Sequence, residues 1–173
     1  MKKLLLLLAT LSLALQAQEI LPDPQFKNKD EHWTLKKKSE FAKTKFKFSR
    51  NLFTIQTPHS SESYYLSLLS EIALEAGSTY ELSISTRAQG EGELKFSCIS
   101  RPKLDNKGKK AKNSRFVPIG LIKRVIPDKE WQNHNFTFTA KELASKEHRA
   151  YLSLQFGSYH GKVQIKDLHL TKL

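Results

Sequence analysis

Polar and apolar residues alternate along most of the chain, and this period of two restricts the possible fold more than any other feature. In residues 79–87 the apolar side chains of Tyr80, Leu82 and Ile84 alternate with polar ones, and residues 94–98 repeat the pattern. Gly90-Glu91-Gly92 lies between these two runs and predicts a reversal of the chain. The sequence therefore predicts a hairpin with one buried face and one solvated face.

Further segments show the same alternation or a short apolar run, whereas helical periodicity is almost absent. We expect additional strands at 46–48, 52–57, 64–74, 116–126, 133–139, 150–156 and 163–170. Short strands separated by turn signals are typical of a β-sandwich or a β-barrel. A single helical turn within 141–148 is the only helix that we expect. The sequence therefore predicts an all-β fold.

The N-terminus has the three-part pattern of a secretory signal peptide. Met1-Lys2-Lys3 is basic, residues 4–15 are apolar, and Ala17 supplies a small residue before the cleavage point. This apolar stretch is short for a membrane-spanning helix, which needs roughly twenty residues. We therefore expect a signal peptide at 1–17 and a single domain at 18–173. The protein should have no membrane span and should be secreted, periplasmic or held at the cell surface.

The chain is strongly basic, with a formal net charge of +12. Removal of the signal peptide takes away Lys2 and Lys3 and leaves +10. Such a surface attracts polyanions, and for an exported protein we expect acidic polysaccharides or lipopolysaccharide as partners, and no nucleic acid. The alternative is that the charge only keeps the protein in solution.

Residues 101–115 interrupt the alternation. Most residues of this segment are basic or break regular structure, and Asp105 is its single acid. We expect a long solvated loop. Its positive charge either contacts anionic groups of a ligand or only keeps a connection between two strands in solution.

The sequence carries no recognisable catalytic motif. It lacks a helical histidine pair, a phosphate-binding glycine loop and a Gly-x-Ser-x-Gly turn. Cys98 is the only cysteine, so no internal disulfide can form, and its place in the alternation of residues 94–98 predicts a buried core position. We expect no enzyme activity, no metal and no cofactor.

Four segments, in the right order along nearly all of residues 18–173, carry a resemblance to a known family. They are Asp23-Pro24-Gln25-Phe26 followed by Trp33, residues 74–83 (LEAGSTYELS), Glu130-Trp131-Gln132 leading into residues 136–140 (FTFTA), and residues 163–170 (VQIKDLHL). Together they resemble the secreted jelly-roll carbohydrate-binding modules that accompany cellulases and xylanases, within the galactose-binding-like fold. The resemblance implies a jelly-roll β-sandwich that binds a polysaccharide or oligosaccharide without catalysis.

The chain departs from this family where acids of the first and last strands often hold a structural calcium ion. Lys27 and Lys166 stand at positions where acids are usual, and ammonium groups repel a cation. Asp23 and Asp167 remain as candidate ligands, but we expect the calcium site to be lost. One of the two lysines is then available to pair with Asp167.

Sugar binding needs aromatic faces for the pyranose ring and polar groups for its hydroxyls. Tyr151 is out of phase with the apolar residues of its strand, so we expect it to lie with Gln155 on the solvated face. The glycines that bound residues 157–161 predict a turn, which either presents Tyr159 and His160 to a ligand or is an ordinary hairpin end.

Basic side chains on the polar faces of the predicted hairpin are further candidates for the site. Arg87, Lys95 and Arg101 are suited to bind carboxylate or sulfate groups, and the alternative is a merely solvated face. Trp33 is either a core residue or a ligand contact, and core packing is favoured. Trp131 matches the buried tryptophan of the family, so we expect it in the core.

Two hypotheses of function follow. The first is a non-catalytic carbohydrate-binding module, in which tyrosines stack on sugar rings and positive charge favours acidic glycans. The second is an exported structural or adhesive module that binds the cell envelope or a protein partner through its basic surface.

Overall fold

The computed structural model describes residues 17–28, 31–37, 44–57, 66–102 and 116–173. Within these ranges the chain forms strands and no α-helix, which confirms the predicted all-β fold. The strands are β1 (Gln18–Glu19), β2 (Thr34–Lys37), β3 (Lys45–Ser49), β4 (Leu52–Thr57), β5 (Leu66–Ile72), β6 (Thr79–Pro102), β7 (Val117–Val125), β8 (Gln132–Thr139) and β9 (His148–Lys172).

Predictions for three individual segments are either wrong or fall outside the described residues. The helical turn predicted within 141–148 is wrong, because these residues form bends and a turn that the His148 N–H closes by donating to the Ser145 carbonyl at 3.0 Å. The predicted signal peptide up to residue 16 and the predicted loop from residue 103 to 115 lie outside the described residues. In the part of the chain that is described, no helix has the length and apolar character needed to cross a membrane.

The long strands β6 and β9 pair antiparallel over their whole length, from Tyr80 opposite Lys172 to Pro102 opposite His148. Their two halves enter different layers of a jelly-roll β-sandwich. We call sheet A the layer with strand order β8-β6-β9-β4-β3, in which β1 also pairs with the end of β9. Sheet B is the layer with strand order β7-β6-β9-β5-β2.

Glycines allow the β6–β9 ribbon to pass from one sheet to the other. Gly90 lies opposite Gly161, and Gly92 lies opposite Tyr159. All three glycines have positive φ, between 114° and 143°. A Cβ atom on Gly161 would lie 2.1 Å from the Gln89 carbonyl oxygen, so no side chain fits there. The reversal predicted at Gly90-Glu91-Gly92 and the turn predicted at residues 157–161 are therefore wrong, because both segments are bends within continuous strands.

The core lies between the inner faces of the two sheets. On both sides of the bend, alternate residues of β6 are buried there, including Tyr80 in sheet A and Cys98 in sheet B, as the alternation predicted. Aromatic rings join the layers: the Phe53 and Phe156 centroids are 5.8 Å apart, and those of Phe96 and Phe136 are 6.3 Å apart. Each fully buried apolar side chain of this size contributes roughly 1.5–3 kcal/mol to stability.

Candidate functional site

The outer face of sheet B carries a groove that crosses the middle strands of the sheet. Its cavity has a volume of about 220 Å³. Three neighbouring strands and the residue before β7 supply the walls and floor. The lining residues are Lys95, Ser97, Ile99, Phe116, Pro118, Ile122, Ser153 and Gln155.

The polar side of the groove is a row of hydroxyl and amide groups held by the strand register. Ser67, Ser153 and Ser97 lie on adjacent strands β5, β9 and β6, with Ser153 directly opposite Ser97. The Ser67 and Ser153 hydroxyl oxygens are 2.7 Å apart. The Gln155 amide Nε2 donates to the Ser97 hydroxyl at 3.3 Å. These mutual contacts fix the direction of donors and acceptors before any ligand arrives.

The apolar side of the groove is open to solvent. Phe116 is 47% exposed and Ile122 is 48% exposed, although both are large apolar residues. Pro118 lies opposite Ile99 across the β6–β7 pair, and Ile122 lies opposite Ser97. An exposed apolar strip beside a row of ordered polar groups is the arrangement expected of a site for an amphipathic ligand.

Tyr151 lies at one end of this face. It shares the outer face with Ser153 and Gln155, as its phase predicted, but it packs with Leu69 and Ile99 and is only 3% exposed. Its hydroxyl donates to Glu71 Oε2 at 3.3 Å. The predicted role of Tyr151 as an exposed stacking surface therefore does not fit, because neighbouring side chains cover the ring.

Arg101 lies beside Tyr151, next to the end of the groove that Ile99 and Phe116 line. Its guanidinium carbon is 5.0 Å from the Phe116 ring centroid and 5.8 Å from that of Tyr151. Arg149 is its direct partner across the β6–β9 pair. The Arg149 Nε atom lies 3.9 Å from Glu71 Oε1, at the long limit of an ion pair.

Four of the eight predicted site residues thus come together on the outer face of sheet B: Tyr151, Gln155, Lys95 and Arg101. The other four do not join them. Trp33 is 2% exposed and its indole N–H donates to the Asp23 carbonyl at 2.9 Å, so it is a core residue. His160 lies opposite Glu91 in the bend of the ribbon and is half-buried.

Tyr159 is also a core residue and not a ligand contact. It is 1% exposed and belongs to the main core, because the residues around it form a strand and not the predicted turn. Burial raises the pKa of its hydroxyl above the ordinary value. This hydroxyl has no hydrogen-bond partner among the residues that the structure describes.

Arg87 lies on the outer face of sheet A, away from the groove. Its Nε atom donates to Gln164 Oε1 at 2.9 Å, and its guanidinium carbon is 4.7 Å from the Trp131 ring centroid. Lys166 Nζ lies 4.8 Å from the same ring. Trp131 is therefore a half-buried surface residue engaged with two cations, and its predicted core position is wrong.

Asp23 and Asp167, the two acids left at the positions where the family often binds calcium, are both engaged by protein groups. Both carboxylate oxygens of Asp23 accept backbone N–H groups, from Lys27 at 2.9 Å and Asn28 at 3.0 Å. The Asp167 carboxylate accepts from Asn51 Nδ2 at 2.8 Å and pairs with Lys166 Nζ at 3.2 Å. The Asn51 hydrogen bond and then Lys166 lower the pKa of Asp167. Among the described residues, no cluster of three histidine, cysteine or acidic side chains is available to bind a metal.

Sequence reasoning missed the exposed apolar strip. Phe116 and Ile122 were assigned to a predicted strand without a functional role, because alternation cannot distinguish an apolar residue on an open face from one in the core. A partial signal was available: Pro118 within an apolar run indicates an edge strand, and one face of such a strand is often left uncovered.

Comparison with known proteins shows the same fold. A CBM4 carbohydrate-binding module matches with a TM-score of 0.65 and 13% identity, over 88% of this chain and 99% of that chain. The N-terminal cellulose-binding domain of β-1,4-glucanase C from Cellulomonas fimi matches with a TM-score of 0.64 and 15% identity, over 90% and 98% of the two chains. A proposed sugar-binding protein from Bacteroides thetaiotaomicron matches with a TM-score of 0.65 and 11% identity, over 90% of this chain and 100% of that chain.

Because the sequence identities are low, these structural matches show the fold alone. They confirm the resemblance to jelly-roll carbohydrate-binding modules at the level of the fold. No protein-family model matches the sequence. No curated protein matches it either.

Proposed function

We propose that this protein is a secreted, non-catalytic carbohydrate-binding module, and that its glycan lies in the groove on the outer face of sheet B. One observation carries the proposal. The groove places a half-exposed aromatic ring, Phe116, beside the ordered polar groups of Ser97, Ser153 and Gln155. A pyranose ring has an apolar face and a polar rim, so it matches both sides of the groove.

The mechanism follows from this division of the groove. Phe116 and Ile122 contact the apolar face of a sugar ring, and stacking on such surface removes it from water. The Gln155 amide and the serine hydroxyls exchange hydrogen bonds with the sugar hydroxyls. Lys95 adds positive charge inside the groove, which favours acidic glycans.

The absence of catalysis is also part of the proposal. The described residues that line the cavity include no acid, whereas glycoside hydrolysis uses two carboxyl groups that flank the scissile bond. The fold matches reported above include domains named for sugar or cellulose binding, which supports a binding role.

A binding screen on a panel of neutral, uronic and sulfated polysaccharides, at low and at physiological salt, tests the proposal. We expect binding to a defined set of sugars that persists at physiological salt. Gln155→Ala should weaken this binding by about five- to tenfold, the effect of losing one hydrogen bond of about 1 kcal/mol. Gln164→Ala is the matched control, because Gln164 lies on the outer face of sheet A.

A second candidate function rests on a different surface. The outer face of sheet A is basic near the bend of the ribbon, where the register places Lys47, Thr54, Gln164 and Arg87 in one row. The adjacent row contains Lys45, Gln56 and Lys162. Such a surface suits an adhesive module that contacts the anionic cell envelope.

Salt dependence separates the two candidates. If the basic face is the functional surface, the triple variant Lys45→Gln, Lys47→Gln, Lys162→Gln should lose binding to anionic polymers, and binding by the wild type should fall steeply with salt. If the groove is the functional surface, this variant should bind its glycan within about twofold of the wild type, because the lysines are on the opposite sheet.

A further inference from the structure

The guanidinium group of Arg101 is held between aromatic side chains next to the groove. It lies against two aromatic rings, Phe116 at 5.0 Å and Tyr151 at 5.8 Å. Phe116 lines the groove, and Tyr151 packs on Ile99, which lines it as well. The rings hold the guanidinium in place at one end of the groove by cation–π contacts.

Two of the three nitrogens of this guanidinium make no hydrogen bond within the described part of the protein. The Nε and Nη1 atoms are buried, and neither has an acceptor among the residues that the structure describes. Buried polar groups are nearly always hydrogen-bonded, and a charged donor without an acceptor is costly. An anion that reaches these nitrogens would supply the acceptor that the described part of the protein does not.

A second arginine increases the positive charge at this end of the groove. Arg149 lies directly opposite Arg101 on the neighbouring strand. Like charges in direct cross-strand positions destabilise a sheet. Glu71 offsets them only in part, because it is 3.9 Å from Arg149 Nε and also accepts a hydrogen bond from the Tyr151 hydroxyl. The pair of arginines is therefore better satisfied when an anion is bound.

We propose that Arg101 binds the carboxylate of a uronic acid residue, with Arg149 adding charge, so that the ligand of the groove is a uronic-acid-containing glycan. The inference rests on the proposed function and names the ligand class of the same site. The planar guanidinium offers a fork of N–H groups that matches the two oxygens of a carboxylate. Because the carboxylate of a uronic acid is attached to the sugar ring, the ring itself then lies beside Phe116.

Two polymers with one backbone provide the test: polygalacturonate and the same polymer after chemical reduction of its carboxyl groups. Affinities are measured at physiological salt by isothermal titration calorimetry, and thermal unfolding verifies that each variant is folded. The variants are Arg101→Lys, which keeps the charge but loses the fork, and Arg101→Gln. Arg124→Gln is the control, because Arg124 is an exposed arginine of β7 that already pairs with Glu93 at 2.7 Å.

We expect the wild type and Arg124→Gln to bind polygalacturonate about tenfold or more tightly than the reduced polymer. Arg101→Lys and Arg101→Gln should both lose most of this preference and still bind the reduced polymer as the wild type does. The inference is overturned if the wild type binds both polymers equally, if Arg101→Lys keeps the preference, or if a sulfated glycan binds more tightly through Arg101. No binding to either polymer or to any neutral glycan would instead reject the proposed function itself.

Discussion

The same two strands, β6 and β9, build the outer faces of both sheets, yet the side chains on these faces are engaged differently. On sheet A, Arg87 donates to Gln164, and Arg87 and Lys166 both lie over Trp131. On sheet B, Arg101 has two buried nitrogens without an acceptor in the described part of the chain, and Phe116 is half exposed.

This comparison shows why positive charge does not locate a site in a chain that is basic throughout. Both faces carry arginines and lysines, and both carry an aromatic residue. On sheet A the Gln164 side chain and the Trp131 ring both engage Arg87, so a ligand would first have to displace these contacts. On sheet B Arg101 also lies over an aromatic ring, but its Nε and Nη1 atoms have no acceptor in the described part of the chain, so an anionic ligand would supply a hydrogen-bond partner that the protein does not.

The largest expected effect concerns the bend that separates the two faces. Gly161→Ala places a Cβ atom 2.1 Å from the Gln89 carbonyl oxygen at a φ of +133°. We expect the free energy of unfolding to fall by about 3 kcal/mol or more, because backbone atoms of both strands must move. Urea denaturation measures this change.

Gly77→Ala is the matched control for the bend. Gly77 also has a positive φ, +84°, but a Cβ atom there meets nothing within 4 Å. Its substitution should cost only the left-handed backbone strain of about 1 kcal/mol. Equal losses for the two variants would show that the ribbon accommodates a side chain and that the bend does not hold the two faces apart.

The glycines also show which part of the fold could not be predicted from the sequence. The alternation predicted which β6 residues are buried in each half of the strand, and these positions are confirmed. The same glycines were interpreted as chain reversals, because a positive φ serves a turn and an in-strand bend equally well. The deciding fact is that Gly90 lies opposite Gly161, and a pairing between residues so distant in the chain leaves no local signal.

The second prediction compares one aromatic residue from each face. Phe116→Ala should weaken glycan binding by about tenfold, because it removes the exposed ring of the groove. Trp131→Ala should change binding by less than about twofold, because Trp131 contacts Arg87 and Lys166 on the outer face of sheet A, away from the groove. Titration calorimetry with the glycan found in the screen measures both. A larger loss of glycan affinity for Trp131→Ala than for Phe116→Ala would show that the glycan binds on the outer face of sheet A.

For the site, sequence phase predicted the face but not the exposure of individual residues. Tyr151, Gln155 and Lys95 lie on the outer face of sheet B, as the alternation indicated. Whether Tyr151 is open depends on Leu69 and Ile99, which come from two other strands and cover it. The opposite holds for Phe116, which precedes the edge strand β7 and is 47% exposed.

The third prediction tests the assignment of Tyr159 to the core. Its buried hydroxyl has no partner among the described residues, so Tyr159→Phe removes an unsatisfied polar atom. We expect the free energy of unfolding to rise by up to about 1 kcal/mol and glycan binding to stay unchanged. Tyr80→Phe is the control, because the Tyr80 hydroxyl accepts the Glu75 N–H at 2.8 Å, and its loss should cost about 1 kcal/mol. A loss of glycan binding by Tyr159→Phe would show that the Tyr159 hydroxyl contacts the ligand, as first predicted.

The smallest expected effect concerns Asp167, whose contacts belong to the engaged face of sheet A. The Asn51 hydrogen bond and then the Lys166 charge lower its pKa in the folded state. A carboxyl group with a lowered folded pKa contributes stability above its unfolded pKa of about 3.9, and this contribution is lost as the pH falls through the folded value. Because the side chain is 44% exposed, we expect a contribution under about 1 kcal/mol.

Asp167→Asn isolates this contribution without adding backbone strain, because asparagine tolerates the positive φ of 47° at this position. At pH 6 the variant should be slightly less stable than the wild type in urea denaturation. The difference should shrink as the pH falls below about 4, because the unfolded chain then binds a proton at this carboxyl, and it should vanish once the pH is below the lowered pKa of the folded state. A difference that stays constant from pH 6 to pH 2 would mean that the charge of Asp167 is not what stabilises the fold. The contacts with Asn51 and Lys166 would then be a consequence of packing on sheet A, and not a reason why that face is closed to ligands.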